Sequence, residues 1–252
     1  MTNTKLKTIT QEELDKVLSD HKTWLDSHGD KGTRADLSLT DLSKFDLSGS
    51  DLSMTNLSGS DLSDSNLEMA FLTYSGKVID PFNIKEEDIC FIDIAHHLSK
   101  ICRYGGALPH NINYSVAQHS LHLVEWAREN NYSTSLQKQL LLHDAAETYI
   151  GDMISSVKKG LNDYKKLEYK IEMIIKKKYS IIDCKEDINL IKLLDKRIVL
   201  DEARAFFQSY YTIFSSRSGG LTPLGLNIMI SDPKIIEQQF LREGFLLLDN
   251  IY

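Results

Sequence analysis

The chain has 252 residues, 42% hydrophobic and 26% charged, with a formal net charge of -7. That length suits one large domain or a domain with an appendage, and the acidic balance lacks the basic field of a general nucleic-acid binder. Cys90, Cys102 and Cys184 form no CxxC pair, which excludes a disulfide framework and a thiolate zinc site, and no stretch approaches the roughly 20 apolar residues of a membrane span.

The opening MTNTKLKTIT lacks an apolar signal core. A soluble, cytoplasmic protein is expected, since unpaired cysteines suit a reducing compartment. Residues 10–27 carry Leu14, Val17, Leu18 and Leu25 near helical spacing, with Thr10 and Glu13 placed as a capping box. Trp24 is expected to pack on the next segment of the chain. There leucine recurs every fifth residue, at Leu37, Leu42, Leu47, Leu52, Leu57, Leu62, Leu67 and Leu72, preceded by Asp or Asn in every unit except the last. A period of five fits neither the 3.6 of a helix nor the 2 of a strand. A four-sided coil does place such leucines together, with small residues filling the rest of its interior. The pattern resembles the pentapeptide-repeat family, A(D/N)LXX, and the resemblance implies a right-handed quadrilateral β-helix of about two coils. Phe45 and Phe71 depart from the pattern. So short a coil needs covered ends, and scaffolding or oligomer contact is the role expected of it.

A linker is predicted over 78–88, with Pro81, and a helical domain after it. Helices are expected over 93–104, 114–128, 136–150, 164–179, 188–208 and 233–249, with a Ser/Gly-rich loop over 215–224. Three of these carry ionisable residues where core side chains belong. His119 shares a stripe with Val116, Leu123 and Trp126, and Asp195 shares one with Ile188, Ile191, Ile198 and Glu202. His143 and Asp144 follow three leucines in LLLHDAAETYIGD, with His143 and Glu147 one turn apart and Asp144 about 100° round the helix. Buried charge demands partners. Two imidazoles and two carboxylates without a thiolate suit one first-row divalent metal ion and leave positions for water and substrate.

The order His119, His143-Asp144, Asp195, with the flanking blocks CRYGG and YSVAQHS, resembles the HD phosphohydrolase superfamily. Within it the blocks are similar to bacterial 5′-deoxynucleotidases and phage-type dATP triphosphohydrolases. The resemblance implies a mainly α fold, an HD-domain helical bundle behind the coil, divided as a capping helix (1–30), the pentapeptide β-helix (31–76) and the HD domain (77–252). It implies metal binding by His119, His143, Asp144 and Asp195, the metal being Co, Mn, Zn, Fe or Mg. Arg103 is then the clamp on phosphate oxygens, and Glu147 and Asp152 are the acids that orient or deprotonate the attacking water. Tyr104 packs on the sugar, and a nucleotide is the substrate in a bacterial cell or a phage-infected host. Relatives are commonly oligomers, so self-association is expected. Ala107 stands where relatives carry a histidine, and His110 is the nearest substitute. A hydrolase of an alarmone or a cyclic nucleotide on the same core is an alternative, as is a non-catalytic nucleotide sensor built on the coil.

Overall fold

The computed structural model of the chain describes residues 6–47, 49–63, 65, 71–109, 112–249 and 251. The chain divides into two compact units, Met1–Asp88 and Ile89–Tyr252.

In the first unit, α1 (Gln11–Asp26) starts at the predicted capping box. The Glu13 N–H donates to the Thr10 hydroxyl, and the Thr10 N–H donates to the Glu13 carboxylate. Its Leu14 is fully buried against Leu37, Leu42 and Leu47. His21 is also fully buried. Its Nδ1 accepts from the Ala35 N–H, which leaves Nε2 as the donor to the Ser53 carbonyl at 2.8 Å. Trp24 stacks on His21, with ring centroids 5.8 Å apart.

The five-residue period has a local cause. The carbonyls of Leu42, Leu47, Leu52, Leu57 and Leu62 each accept from the N–H three residues on. A turn of this kind puts its third residue in the left-handed region, and Lys44, Gly49, Met54 and Gly59 have φ of 68°, 73°, 59° and 73°. The acid or amide before each leucine folds over the turn: Asp36, Asp41, Asp51, Asn56 and Asp61 accept from the N–H two residues later. The Ser63 hydroxyl and N–H hold the Asp61 carboxyl below the usual carboxylate range. Asp36 then bridges Asn56 and Asp41 bridges Asp61, in parallel, each with its partner twenty residues further along. The parallel bridges thus recur at a separation of four units.

Leu37, Leu42, Leu47 and Leu52 are buried, while Leu57 and Leu62 pack partly buried against the same cluster. Leu67 lies outside the described residues. Leu72 departs from the inward pattern, being 65% exposed, because there the chain leaves the repeat for an antiparallel hairpin. β3 (Phe71–Leu72) pairs with β4 (Val78–Ile79) in that hairpin. At its turn Gly76 has φ +93°, and a Cβ there would lie 2.4 Å from that of Ser53. At the start of the unit β1 (Lys7–Thr8) pairs in parallel with β2 (Thr40–Asp41). The predicted linker is structured: Val78, Ile79 and Ile84 are buried, and the Val78 N–H donates to Ser50.

The second unit is helical. It comprises α2 (Phe91–Leu98), α3 (Val116–Glu129), α4 (Thr134–Leu142), α5 (Glu147–Ile150), α6 (Ser155–Lys158), α7 (Asn162–Lys178), α8 (Lys185–Phe206), α9 (Tyr211–Arg217) and α10 (Pro233–Leu247). Ser115, Ser133 and Asp232 cap α3, α4 and α10 with their side chains. The core forms where α10 crosses α2, with Phe91 stacked on Phe240 at 5.6 Å and edge-on to Tyr179 at 6.0 Å. Gly244 is required at that crossing, because a Cβ would sit 2.1 Å from the Phe91 ring.

Three segments differ from expectation. The helix predicted over 93–104 stops at Leu98, and further on a short 3-10 turn, Arg103–Gly106, holds Tyr104 and Gly105 in the left-handed region (φ 60° and 59°). The Arg103 N–H instead donates to Tyr114 and the Val116 N–H to Ile101. The helix predicted over 136–150 breaks between α4 and α5. Across the break the N–H groups of Ala145, Glu147, Thr148 and Tyr149 each bond three residues back rather than four. Part of the expected Ser/Gly loop is α9, which runs to Arg217.

Candidate metal centre

α3 sends the fully buried His119 inward. The break after α4 presents His143 and Asp144, and α8 brings Asp195. Ligand atoms of His119, His143 and Asp195 all lie within 4.8 Å of one another. His119 Nε2 is 3.3 Å from Asp195 Oδ1, and the Asp144 Oδ2 atom is 3.1 Å from His143 Nε2 and 3.9 Å from His119 Nε2. Atoms at roughly 2.1 Å from one shared ion stand about 3–4 Å from each other, so these separations suit a common cation.

The far nitrogens settle which lone pairs point inward. His119 Nδ1 meets Glu202 Oε1 at 2.7 Å, and His143 Nδ1 meets the Leu140 carbonyl at 2.8 Å. Both acceptors require Nδ1–H, which leaves the lone pairs on Nε2. Both Nε2 atoms are buried and lack a well-formed hydrogen bond. Buried polar atoms are rarely left so, and imidazoles anchored through one nitrogen with the other exposed to acids are the usual setting of metal ligands.

Charge around the centre is organised about Arg103. Its guanidinium lies 3.5 Å from Asp144 Oδ2 and 3.6 Å from Glu202 Oε2. Burial alone would raise the Glu202 carboxyl, but the charges of Arg103 and His119 and the bonds from His119 and Tyr104 outweigh it and bring it to about 2. Burial alone would lower His143, yet the Asp144 carboxylate 3.1 Å from its Nε2, with Asp195 beyond, pushes it up to about 9. Glu147 is only 5% exposed. Burial, then the charges of Asp144 and Asp152, pushes its carboxyl up to about 10. The tightened backbone explains the Asp144 contribution, since a three-residue turn aligns positions 144 and 147. Asp152 is half-buried and raised by burial, with Arg103 opposing.

A cavity of about 290 Å³ opens on the His143, Asp144 and Asp195 side. Lys158 and Lys176 line it, paired with Glu168 and with Glu172 and Asp183 respectively. Lys192 lines it as well. Tyr104 directs its hydroxyl to Glu202 and sets its ring edge-on to Phe207 at 5.3 Å. Ala107 lines a separate groove with Phe206 and Phe207, and His110 lies outside the described residues. His122 stacks on Tyr114 rather than joining the cluster. The role of Glu202 was missed in the sequence, where it stands only as a member of the α8 stripe. Its signal was the seven-residue spacing from Asp195, which puts both acids on one face.

Pentapeptide repeats, eight copies, match residues 33–73. The uncharacterized protein YfdR of Escherichia coli is 39% identical over 114 residues, covering 45% of this chain and 60% of that protein. An uncharacterized protein of Rhodobacter capsulatus is 26% identical over 185 residues, covering 70% of this chain and 94% of its own length. The match to YfdR thus spans about three fifths of that relative's length. Among the described residues no helix is long and apolar enough to cross a membrane.

Proposed function

We propose that the helical unit is a metal-dependent phosphohydrolase of the HD type, acting on deoxynucleotide phosphate esters at the α-phosphorus. The observation that carries this reading is the pair of buried Nε2 atoms, on His119 and His143, anchored from behind and facing Asp195 and Asp144 beside an arginine. His119, His143, Asp144 and Asp195 would hold a divalent cation, which would supply Lewis acidity and a positive charge opposing the burial and the Asp144 and Asp152 charges that raise the Glu147 carboxyl.

The chain's own groups do the rest. Arg103, fixed between Asp144 and Glu202, neutralises charge on the phosphoryl oxygens as it builds towards the transition state. Glu147 orients the attacking water and takes its proton, with Asp152 behind it. Attack at the α-phosphorus breaks the bond to O5′, so a monophosphate releases phosphate and a triphosphate releases tripolyphosphate. Tyr104 holds Glu202 and borders the sugar position. We also infer that the repeat winds as a right-handed quadrilateral β-helix, which the twenty-residue parallel recurrence supports, and that it serves as a scaffold in a homo-oligomer.

The test is a panel of nucleoside mono- and triphosphates on protein stripped with a chelator and reloaded with manganese or cobalt. Turnover that is lost in Asp195→Ala is expected, and the released anion tells the two substrate classes apart. Metal binding without turnover of any member rejects the hydrolase reading, and turnover of an alarmone alone redirects it.

A further inference from the structure

We propose that the groove between α8 and α9 is a second ligand site, separate from the metal centre, for a phosphate-bearing small molecule with an apolar body. The groove has a volume of about 700 Å³, within the range of small-molecule sites. Leu193, Val199 and Phe214 line its apolar part, and Lys192, Lys196 and Arg217 line its charged part, with no carboxylate among the lining residues.

That charge balance is unusual for a chain with a net charge of -7. In the metal-side cavity Lys158 and Lys176 each have an acid partner. Lys192, Lys196 and Arg217 have no ion pair among the described residues. Lys192 and Lys196 are also four apart on one helix, where like charges repel. A bound anion relieves that repulsion, and a phosphate offers each of three cations an oxygen.

Helix geometry separates this site from the metal. Lys196 follows Asp195 directly, so its side chain leaves α8 about 100° away from the ligand carboxylate. Lys192, alone of the three cations, lines both cavities. Leu193 remains 38% exposed on the groove side, apolar area that the body of a ligand would cover. The inference does not depend on the hydrolase reading, because it concerns binding alone.

The experiment is calorimetric titration of the full chain, metal removed by chelator so that nothing turns over, with ADP and with inorganic pyrophosphate as probes. ADP should bind more tightly than pyrophosphate, because only ADP has a body for the apolar wall. Lys196→Glu with Arg217→Glu should weaken ADP about tenfold or more, and Lys234→Glu, exposed on α10 and lining neither cavity, should leave it unchanged. Lys196 and Arg217 are exposed as well, and circular dichroism checks that the fold is kept. An unchanged ADP affinity in the doubly reversed protein overturns the proposal. So does equal loss of ADP binding in Lys234→Glu, tighter binding of an oligothymidylate than of ADP, or no binding of either probe to the wild-type chain.

Discussion

Glu202 illustrates how much a single side chain behind a proposed metal ligand is asked to do. It is fully buried, accepts from His119 and Tyr104, and faces the Arg103 guanidinium at 3.6 Å. Glu202→Gln keeps the shape and loses the charge that strengthens the His119 ligand. Manganese affinity, read by competition with an indicator chelator, should fall about 10–100-fold. Tyr104→Phe removes one support and should cost less. If Glu202→Gln binds manganese as wild type does, Glu202 is only a structural partner of Arg103. His143 sets the pH dependence. Its metal-free value, raised to about 9, means that an imidazolium must shed a proton before Nε2 can bind a cation. Affinity should therefore rise with pH, by up to about tenfold per unit between pH 6 and 8, and level off above 9. The same shift favours folding of the metal-free chain at low pH, a contribution present below about 6.5 and lost as pH rises through 9. A metal affinity flat across that window would show that His143 is not a ligand.

At the scale of elements, backbone conformation decides more than packing in the repeat. A Cβ at Gly49 would meet nothing within 4 Å, so Gly49→Ala has room. It should still destabilise the first unit by about 1 kcal/mol, because φ is 73° there. Met54 holds the equivalent turn position at φ 59° and is 62% exposed, so Met54→Gly should be neutral or stabilising. Thermal unfolding of both variants checks this, and equal loss in the two would place the cost elsewhere. The elements also show where sequence reading succeeds. The capping box at Thr10 and Glu13 was legible because it is a contact over three residues, and the pentapeptide repeat because its period recurs many times. The break between α4 and α5 was not, since over so few residues an apolar pattern reads alike at 3.6 and at 3.0 residues per turn. Leu98 as a helix end was likewise hidden, because the chain after it is drawn off by backbone bonds to Tyr114 and Val116, a pairing across a loop that no local pattern announces. Ion-bearing stripes on α3 and α8 were legible one helix at a time, but the partner of His119 lies 83 residues away and is set by tertiary folding alone.

For the whole molecule, the division into two units assigns each of its two tryptophans to a different one, Trp24 to the first and Trp126 to the second. Trp126→Phe and Trp24→Phe therefore report the two units separately by fluorescence. Manganese or cobalt at about a hundred times its Kd should stabilise the unit seen by Trp126 by about 2.7 kcal/mol and leave the Trp24 signal in place. A shift confined to Trp24 would put the metal in the wrong unit. The proposed four-unit lap carries a further consequence, for length. Adding or deleting a single pentapeptide displaces every later side by a quarter of the circuit, so the hairpin at Gly76 would lose its seat against Ser53. Adding twenty residues returns each side to its place and only lengthens the column, by about 4.8 Å per lap. Insertions in this segment should therefore be tolerated in whole laps and punished in fractions.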